Sequence, residues 1–213
     1  MLELHHYPGN ASMTPHMLLE ELGVPYTLKL VDRTRQAHKS AEYLDLNPNG
    51  LIPVLIDGDL VLYETAAICL HLADTHPAAA LAPALGSPER AHFYKWLAWL
   101  ANTPHAALII YFYPERWADD PAAIAQVKAH AEASTGRMLD QLEAQLARHG
   151  GPFLLGSSFS AIDPYALMLC RWTRGFARPA RSLPLLGNYL RRLLERPAIQ
   201  RAFAQEGLVA PLV

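Results

Sequence analysis

The chain has 213 residues, of which 51% are hydrophobic and 18% are charged, and its formal net charge is −2. This composition is that of a folded protein and excludes an intrinsically disordered chain, and the small net charge gives no electrostatic basis for binding nucleic acid or an anionic membrane. The length fits one large domain or two small ones.

Several kinds of site and segment find no support in the sequence. Cys69 and Cys170 lie far apart in apolar runs, so neither a disulfide framework nor a zinc site is predicted. The histidines are scattered, and we assign no metal. The N-terminal residues lack the pattern of a signal peptide, and no apolar run is long enough to predict a spanning helix. We therefore expect a cytoplasmic protein.

Strands and helices alternate in the first third of the chain. Strands are predicted at 2–6 and 26–31, a helix at 14–23 with Thr14 as its cap, a short helix near 40–44, a hairpin at 53–63 and a helix at 65–76. A strand–helix–strand start favours parallel pairing, and the hairpin adds an antiparallel edge. The pattern predicts a small mixed sheet with helices on both faces.

The composition changes after residue 78. Residues 79–87 are rich in Ala, Pro and Gly and predict a linker. Only helices are predicted beyond it: at 89–113 with a kink at Pro104, from Asp120 to Gly150, and at about 161–174, 183–195 and 197–205. The sequence therefore predicts an α/β domain at 1–78 and an all-helical domain at 88–213.

The stretch YPGNASMTPH, residues 7–16, places small polar groups at the start of a predicted helix. Asn10 and Ser12 can cap that helix, or they can hold a ligand there, because a helix N-terminus attracts anions. The residues alone leave both interpretations open.

The stretch LNPNGLIPVL, residues 46–55, joins strong turn residues to a proline at the start of a strand. The Ile52–Pro53 bond is a candidate cis peptide. In that conformation the backbone N–H and C=O of Ile52 can pair with an extended peptide as an added strand. A plain loop before a strand is the alternative.

The stretch YETAAI, residues 63–68, places Glu64 and Thr65 where the hairpin ends and a helix begins. A helix N-terminus attracts a carboxylate, which Thr65 can also hold, and Glu64 can take an ammonium group. The two residues suit an amino-acid head group. Ordinary helix capping is the alternative.

These three stretches, followed by a helical domain, resemble the glutathione S-transferase family. Two further stretches extend the likeness: FSAIDPYAL, residues 159–167, resembles the family's N-capping box, with Ser160 as cap and Asp163 three residues on, and residues 194–208 resemble its closing helix. The resemblance covers nearly the whole chain. It implies a thioredoxin-like N-terminal domain followed by an all-helical C-terminal domain.

The opening loop is most similar to that of the bacterial beta class, which usually reads serine-proline-glycine-alanine-cysteine-serine before a proline-histidine pair. Here residues 7–12, YPGNAS, precede Pro15 and His16, and they share the proline, the glycine and the final serine of this pattern. The family's cysteine falls on Ala11, a departure from the residues that support mixed-disulfide chemistry.

The resemblance implies glutathione as the ligand and co-substrate. The implied binding residues are Lys39, Ile52, Pro53, Glu64, Thr65, Asn102 and His105. Ile52 would pair with the cysteinyl part, while Glu64 and Thr65 would hold the γ-glutamyl group. Lys39, or else His38, would meet the glycine carboxylate. Asn102 would reach the glutathione of a partner subunit, and His105 matches a histidine that lines the beta-class active site.

A transferase must favour the thiolate of glutathione, because a free thiol of pKa about 8.5 is mostly protonated at neutral pH. Ser12 and Asn10 are the candidate catalytic donors to the sulfur, and Tyr7 is a further candidate. The implied electrophile site would lie between the domains. Its candidate wall residues are Tyr111, Tyr113, Arg116 and Trp117, for which core or dimer contacts are the alternative.

The sequence therefore predicts a homodimeric glutathione transferase that conjugates glutathione to a small hydrophobic electrophile, a detoxification reaction. A glutathione-dependent peroxide or disulfide reductase and a non-catalytic binding protein of the same fold are the alternatives.

Overall fold

The computed structural model describes residues 1–213. The chain divides into two compact units: residues 1–82 with 194–209, and residues 83–193 with 210–213. The predicted boundaries, 1–78 and 88–213, assign the last helix to the helical domain, whereas the structure groups it with the first unit.

The first unit contains a four-stranded sheet. Its strands are β1 Leu2–His6, β2 Tyr26–Leu30, β3 Val54–Asp57 and β4 Leu60–Tyr63, in the order β2-β1-β3-β4. β1 pairs in parallel with β2, and the other two pairings are antiparallel. The predicted mixed sheet, with a hairpin at its edge, is confirmed.

The three helices predicted for this unit are present: α1 Met13–Leu22, α2 Ala41–Leu46 and α3 Thr65–Thr75. Because side chains alternate along a strand, neighbouring residues of β1 contact different helices. His5 lies against Tyr43 of α2, whereas His6 lies against His16 of α1. Helices therefore cover both faces of the sheet, as predicted.

α1 starts one residue earlier than predicted. Its N-cap is Ser12, and Thr14 lies inside the first turn, so Thr14 is not the cap. At the other end Gly23 adopts a left-handed conformation and donates its N–H to the carbonyl of Leu19, as predicted.

The second unit contains helices alone: α4 Pro88–Asn102, α5 Pro104–Phe112, α6 Pro121–His149, α7 Ile162–Trp172 and most of α8 Pro184–Leu194. The helix predicted at 89–113 is two helices and not one kinked helix. Pro104 has no N–H to continue the hydrogen-bond ladder, so it opens α5 at its first position while Thr103 separates the two. Asp120 caps α6 as predicted, accepting two backbone N–H groups.

The last helix, α9 Pro197–Gln205, packs against α1 in the first unit. Arg196, just before α9, bonds both carboxylate oxygens of Glu21 at 2.6 and 2.7 Å. Arg201 lies 2.5 Å from Glu20. The last helix therefore belongs with the first unit through its buried apolar face and these ion pairs, and contacts between distant segments give no local sequence signal.

Candidate functional site

The opening loop, residues 7–12, connects β1 to α1, and its serine faces inward. The Ser12 hydroxyl donates to the Tyr7 carbonyl and accepts the Tyr7 N–H, both at 3.2 Å. Ser12 is 0% exposed and its side chain makes no capping bond. The Ser12 hydroxyl is therefore bonded to the loop's own backbone.

Asn10 and Tyr7 are the loop residues with open donors. The Oδ1 atom of Asn10 accepts the Ala11 N–H at 2.7 Å, which orients the amide, and its Nδ2 makes no hydrogen bond within the chain. The Tyr7 ring packs in an apolar cluster that includes Ile52 and Val54, and both Tyr7 and Asn10 are partly exposed. The structure thus brings the opening loop beside the turn that precedes β3.

Glu206, which the sequence did not single out, holds the opening loop. Its Oε2 accepts the Gly9 N–H at 2.8 Å, and its Oε1 lies 2.9 Å from Nδ1 of His16. Glu206 is 6% exposed and His16 is 0% exposed, so this network is buried. Gly9 has a φ of 72°, a conformation that favours glycine. The residues that meet here are almost two hundred positions apart, and no local pattern indicates the contact.

The second loop carries the predicted cis peptide bond at Ile52–Pro53. The Leu51 carbonyl before it accepts hydrogen bonds from the Tyr43 hydroxyl and from Nδ2 of Asn47, both at 2.8 Å. Ile52 lies outside the sheet, and its backbone N–H and C=O make no hydrogen bond within the chain. Ile52 therefore presents a donor and an acceptor on a fixed turn.

Lys39 lies over the same turn. Its ammonium group is 3.5 Å from the Asn49 carbonyl. Residues 38 and 39 pack so closely on the turn that a Cβ on Gly50 would come within 2.8 Å of the His38 carbonyl oxygen and 2.7 Å of the Lys39 ammonium group. Burial, followed by the charges of Arg33 and Lys39, lowers the pKa of His38, so its imidazole is neutral at neutral pH. Of the two candidates, Lys39 is the one that carries charge.

Glu64 and Thr65 meet at the N-terminus of α3, as expected. Glu64 has a φ of 71°, unusual for a residue with a side chain, and such strain costs about 1–3 kcal/mol and clusters at functional sites. Its carboxylate makes no bond within the chain, and the same is true of the Thr65 hydroxyl. The first N–H groups of α3 have no partner inside the helix. The arrangement offers a carboxylate beside an anion-binding helix end.

In the second unit His105 belongs to a group of aromatic rings. Its Nδ1 lies 2.8 Å from the Tyr165 hydroxyl, and its ring centroid lies 5.2 Å from that of Trp172. Burial lowers the pKa of His105 to about 4. Tyr165 and Trp172 were not singled out from the sequence, although their spacing of two turns places both on one face of α7.

The residues expected to form an electrophile wall follow His105 along the chain. Tyr111 packs on Phe176 with ring centroids 4.5 Å apart, which adds Phe176 to the aromatic group. Arg116 lies over the Tyr113 ring at 4.3 Å, and Trp117 is 50% exposed. Asn102, the last residue of α4, is exposed.

The remaining polar and reactive side chains form no further candidate site. No three His, Cys, Asp or Glu side chains lie together in a way that could hold a metal ion. Cys69 and Cys170 are buried and free, and burial raises the pKa of both thiols, that of Cys170 to about 12. None of the helices has the length and apolar character needed to cross a membrane.

Comparison with known families gives a direct result. Residues 10–75 match the family model described as glutathione S-transferase, N-terminal domain, and residues 105–206 match that described as glutathione S-transferase, C-terminal domain. The chain belongs to the glutathione S-transferase family. The predicted fold class, a thioredoxin-like domain followed by helices, is confirmed.

Solved structures of glutathione S-transferases are similar over almost the whole chain. One from Xylella fastidiosa is 30% identical with a TM-score of 0.90 and covers 98% of this chain and 100% of its own. A homologue from Sulfitobacter, solved with bound glutathione, is 28% identical with a TM-score of 0.88 and covers 98% of this chain and 99% of its own. A beta-class glutathione S-transferase from Sphingomonas chungbukensis is 31% identical with a TM-score of 0.83 and covers 97% of this chain and 100% of its own.

This glutathione S-transferase resembles the beta class but departs from it at one position. Ala11, which stands where that class usually carries a cysteine, is 4% exposed and has no group that donates or reacts. The Ala11 side chain therefore offers no polar contact to a ligand.

Proposed function

We propose that this glutathione S-transferase binds glutathione in its first unit and activates the thiol for attack on a small hydrophobic electrophile. The observation that carries the proposal is a set of open polar groups that matches the tripeptide. Glu64 and the α3 N-terminus at Thr65 suit the ammonium and carboxylate of the γ-glutamyl group. The backbone of Ile52, before Pro53, suits the central peptide unit. Lys39 suits the glycine carboxylate.

The thiol would lie at the opening loop, where Asn10 is the preferred donor. An amide N–H that donates to a thiolate is a charge-assisted bond worth about 1.5–3 kcal/mol, which corresponds to about one to two units of pKa. The Tyr7 hydroxyl is a second donor. Ser12 would act indirectly, by holding the Tyr7 backbone through its two hydrogen bonds.

The second unit would supply contacts to the electrophile. The proposed residues are Tyr111, Tyr113, Arg116 and Trp117, joined by Trp172 and Phe176. The ring contacts among Tyr111, Phe176 and neighbouring aromatics support an apolar surface for such a substrate. His105 is proposed to contact glutathione. We also propose a homodimer in which Asn102 reaches the glutathione of the partner subunit, and a cytoplasmic location.

Calorimetric titration with glutathione tests the binding proposal. Wild-type protein should bind glutathione, and Glu64→Gln should weaken binding about 10- to 100-fold, because it removes one charge-assisted interaction. Asp59→Asn, an exposed carboxylate in the β3–β4 turn, is the matched control and should bind as wild type does. Absence of binding to wild type would overturn the proposed function. An unchanged affinity in Glu64→Gln would overturn the role of its carboxylate.

Turnover assays address the reaction. The protein should conjugate glutathione to a chlorinated nitroaromatic electrophile faster than it reduces an organic peroxide or a small disulfide. The opposite preference would favour a reductase, and binding without turnover would favour a non-catalytic protein. Light scattering after size-exclusion chromatography should give the mass of a dimer, and a monomer would contradict the role proposed for Asn102.

A further inference from the structure

The peptide group that joins Leu51 to Ile52 is anchored on one side only. Its carbonyl oxygen accepts hydrogen bonds from the Tyr43 hydroxyl and from Nδ2 of Asn47, both at 2.8 Å. Its N–H, which belongs to Ile52, makes no hydrogen bond within the chain. Tyr43 is 5% exposed and Asn47 is 2% exposed, so both donors are buried in the first unit.

We propose that Tyr43 and Asn47 are positioning residues: together they fix the rotation of this peptide group, so that the Ile52 N–H points outward and donates to the cysteinyl carbonyl of glutathione. The inference rests on the proposed function for its ligand. The orientation of the peptide group itself depends only on contacts within the first unit.

The geometry of the peptide group connects its anchored side to its open side. A trans peptide group is planar, and its C=O and N–H point in opposite directions. The cis bonds of the chain are Ile52–Pro53 and Ala210–Pro211, so the bond between Leu51 and Ile52 is trans. A carbonyl oxygen has two lone pairs, and the two donors occupy both. A rotation that turned the N–H inward would therefore break two hydrogen bonds.

The two donors are themselves held in place by α2. Tyr43 and Asn47 lie four residues apart, which places both side chains on one face at the end of this helix. The Asn49 N–H donates to Oδ1 of Asn47 at 3.1 Å, and this contact orients the amide with Nδ2 toward the Leu51 carbonyl. The Tyr43 ring packs in the apolar cluster that contains Ile52. Because both side chains are buried, they act on a ligand through the backbone of the turn.

Nuclear magnetic resonance of the ligand-free protein tests the orientation of the peptide group. The nuclear Overhauser effect between the Ile52 amide proton and the ring protons of residue 43 reports their separation. It should be weak or absent in the wild type, where the N–H points away from the ring. Tyr43→Phe keeps the ring and loses one donor, so the peptide group should rotate and the effect should become several-fold stronger. A strong effect in the wild type, or an unchanged one in the variant, would overturn the proposal.

Titration calorimetry with two ligands tests the effect on binding. One ligand is glutathione, and the other is an analogue whose cysteinyl–glycine peptide bond is replaced by a trans alkene, so that it lacks the cysteinyl carbonyl. The wild type should bind the analogue about 2- to 10-fold more weakly, because one hydrogen bond is lost. Tyr43→Phe should bind glutathione more weakly by a similar factor. Its affinity for the analogue should equal that of the wild type, because the analogue has no acceptor for the Ile52 N–H.

The comparison separates positioning from a general loss of stability. Equal losses for the two ligands in Tyr43→Phe would overturn the positioning role, and so would equal binding of both ligands by the wild type. Tyr189→Phe is the matched control: it removes a buried tyrosine hydroxyl of the second unit, one that donates to Asp163 at 2.9 Å, and it should leave both affinities unchanged. Absence of glutathione binding to the wild type would overturn the proposed function, and the ligand-free spectra would still decide the orientation of the peptide group.

Asn47→Ala removes the other donor and provides a second variant. It should show the same pattern, with weaker binding of glutathione and unchanged binding of the analogue, and it decides the question if Tyr43→Phe does not fold. In turnover assays both variants should raise KM about 2- to 10-fold and keep kcat within about twofold, because the Ile52 N–H binds the ligand equally before and during the reaction. A loss confined to kcat would contradict the proposal.

Discussion

Glu64 combines a strained backbone with an open carboxylate, and substitutions can separate the two. Its φ of 71° costs about 1–3 kcal/mol when a Cβ is present. Glu64→Gly removes this strain but adds about 0.4–1 kcal/mol of chain entropy in the unfolded state. With the middle of each range, about 2 kcal/mol of strain and about 0.7 kcal/mol of entropy, the net gain relative to Glu64→Ala, which keeps the Cβ, is about 1.3 kcal/mol. At roughly 2–4 °C per kcal/mol for a chain of this length, the Gly variant should melt about 3–5 °C higher.

Both variants lack the carboxylate, so both should lose glutathione affinity by about 10- to 100-fold. Glu64→Gln keeps the backbone strain and should melt like the wild type while losing a similar affinity. Differential scanning calorimetry gives the melting temperatures, and titration calorimetry gives the affinities. Equal melting of the Gly and Ala variants would refute the strain argument. Wild-type affinity in either would refute the binding role.

Three further predictions concern the thiol site and the buried polar groups. Asn10→Ala should raise the pKa of bound glutathione by about one to two units, measured by thiolate absorbance, and should raise it more than Ser12→Ala does. Burial raises the pKa of Asp163 from 3.8 to about 6. Because the folded state keeps this proton at a higher pH than the unfolded chain does, stability in urea should fall by roughly 2–3 kcal/mol as the pH rises from about 4 to about 6 and then level off. A stability that rises in that range would contradict this. Glu206→Ala should cost about 2–5 kcal/mol in urea denaturation, because it leaves buried partners unsatisfied. The exposed Glu195→Ala should cost little, and equal effects of the two would count against the buried network.

The sequence predicted those features that depend on neighbouring residues. The β3–β4 hairpin follows from a turn at Gly58 between two apolar runs, and α6 follows from Asp120 before Pro121 and from Gly150 at its end. The three loops of the first unit were recognised for the same reason: their turn and cap residues are adjacent in the chain. Helix propensity does not determine the structure at Pro104, because a proline is compatible both with a kink within one helix and with the first position of a new helix.

Features that depend on distant residues were not predicted. The direction of the Ser12 hydroxyl depends on the path of the loop back to Tyr7, and the support of Gly9 by Glu206 depends on where α9 packs. The hydrogen bond between Tyr165 and His105 joins two helices that the sequence could place only separately. Periodicity gives the face of a helix on which a residue lies, but it does not give the partner of that face.

The central claim is that the protein binds glutathione and lowers the pKa of its thiol. Ultraviolet titration of the thiolate, with wild-type protein in excess over glutathione, measures this directly. The midpoint for bound glutathione should lie about one to two units below the value of about 8.5 for a free thiol. A bound midpoint at or above the free value would contradict the claim.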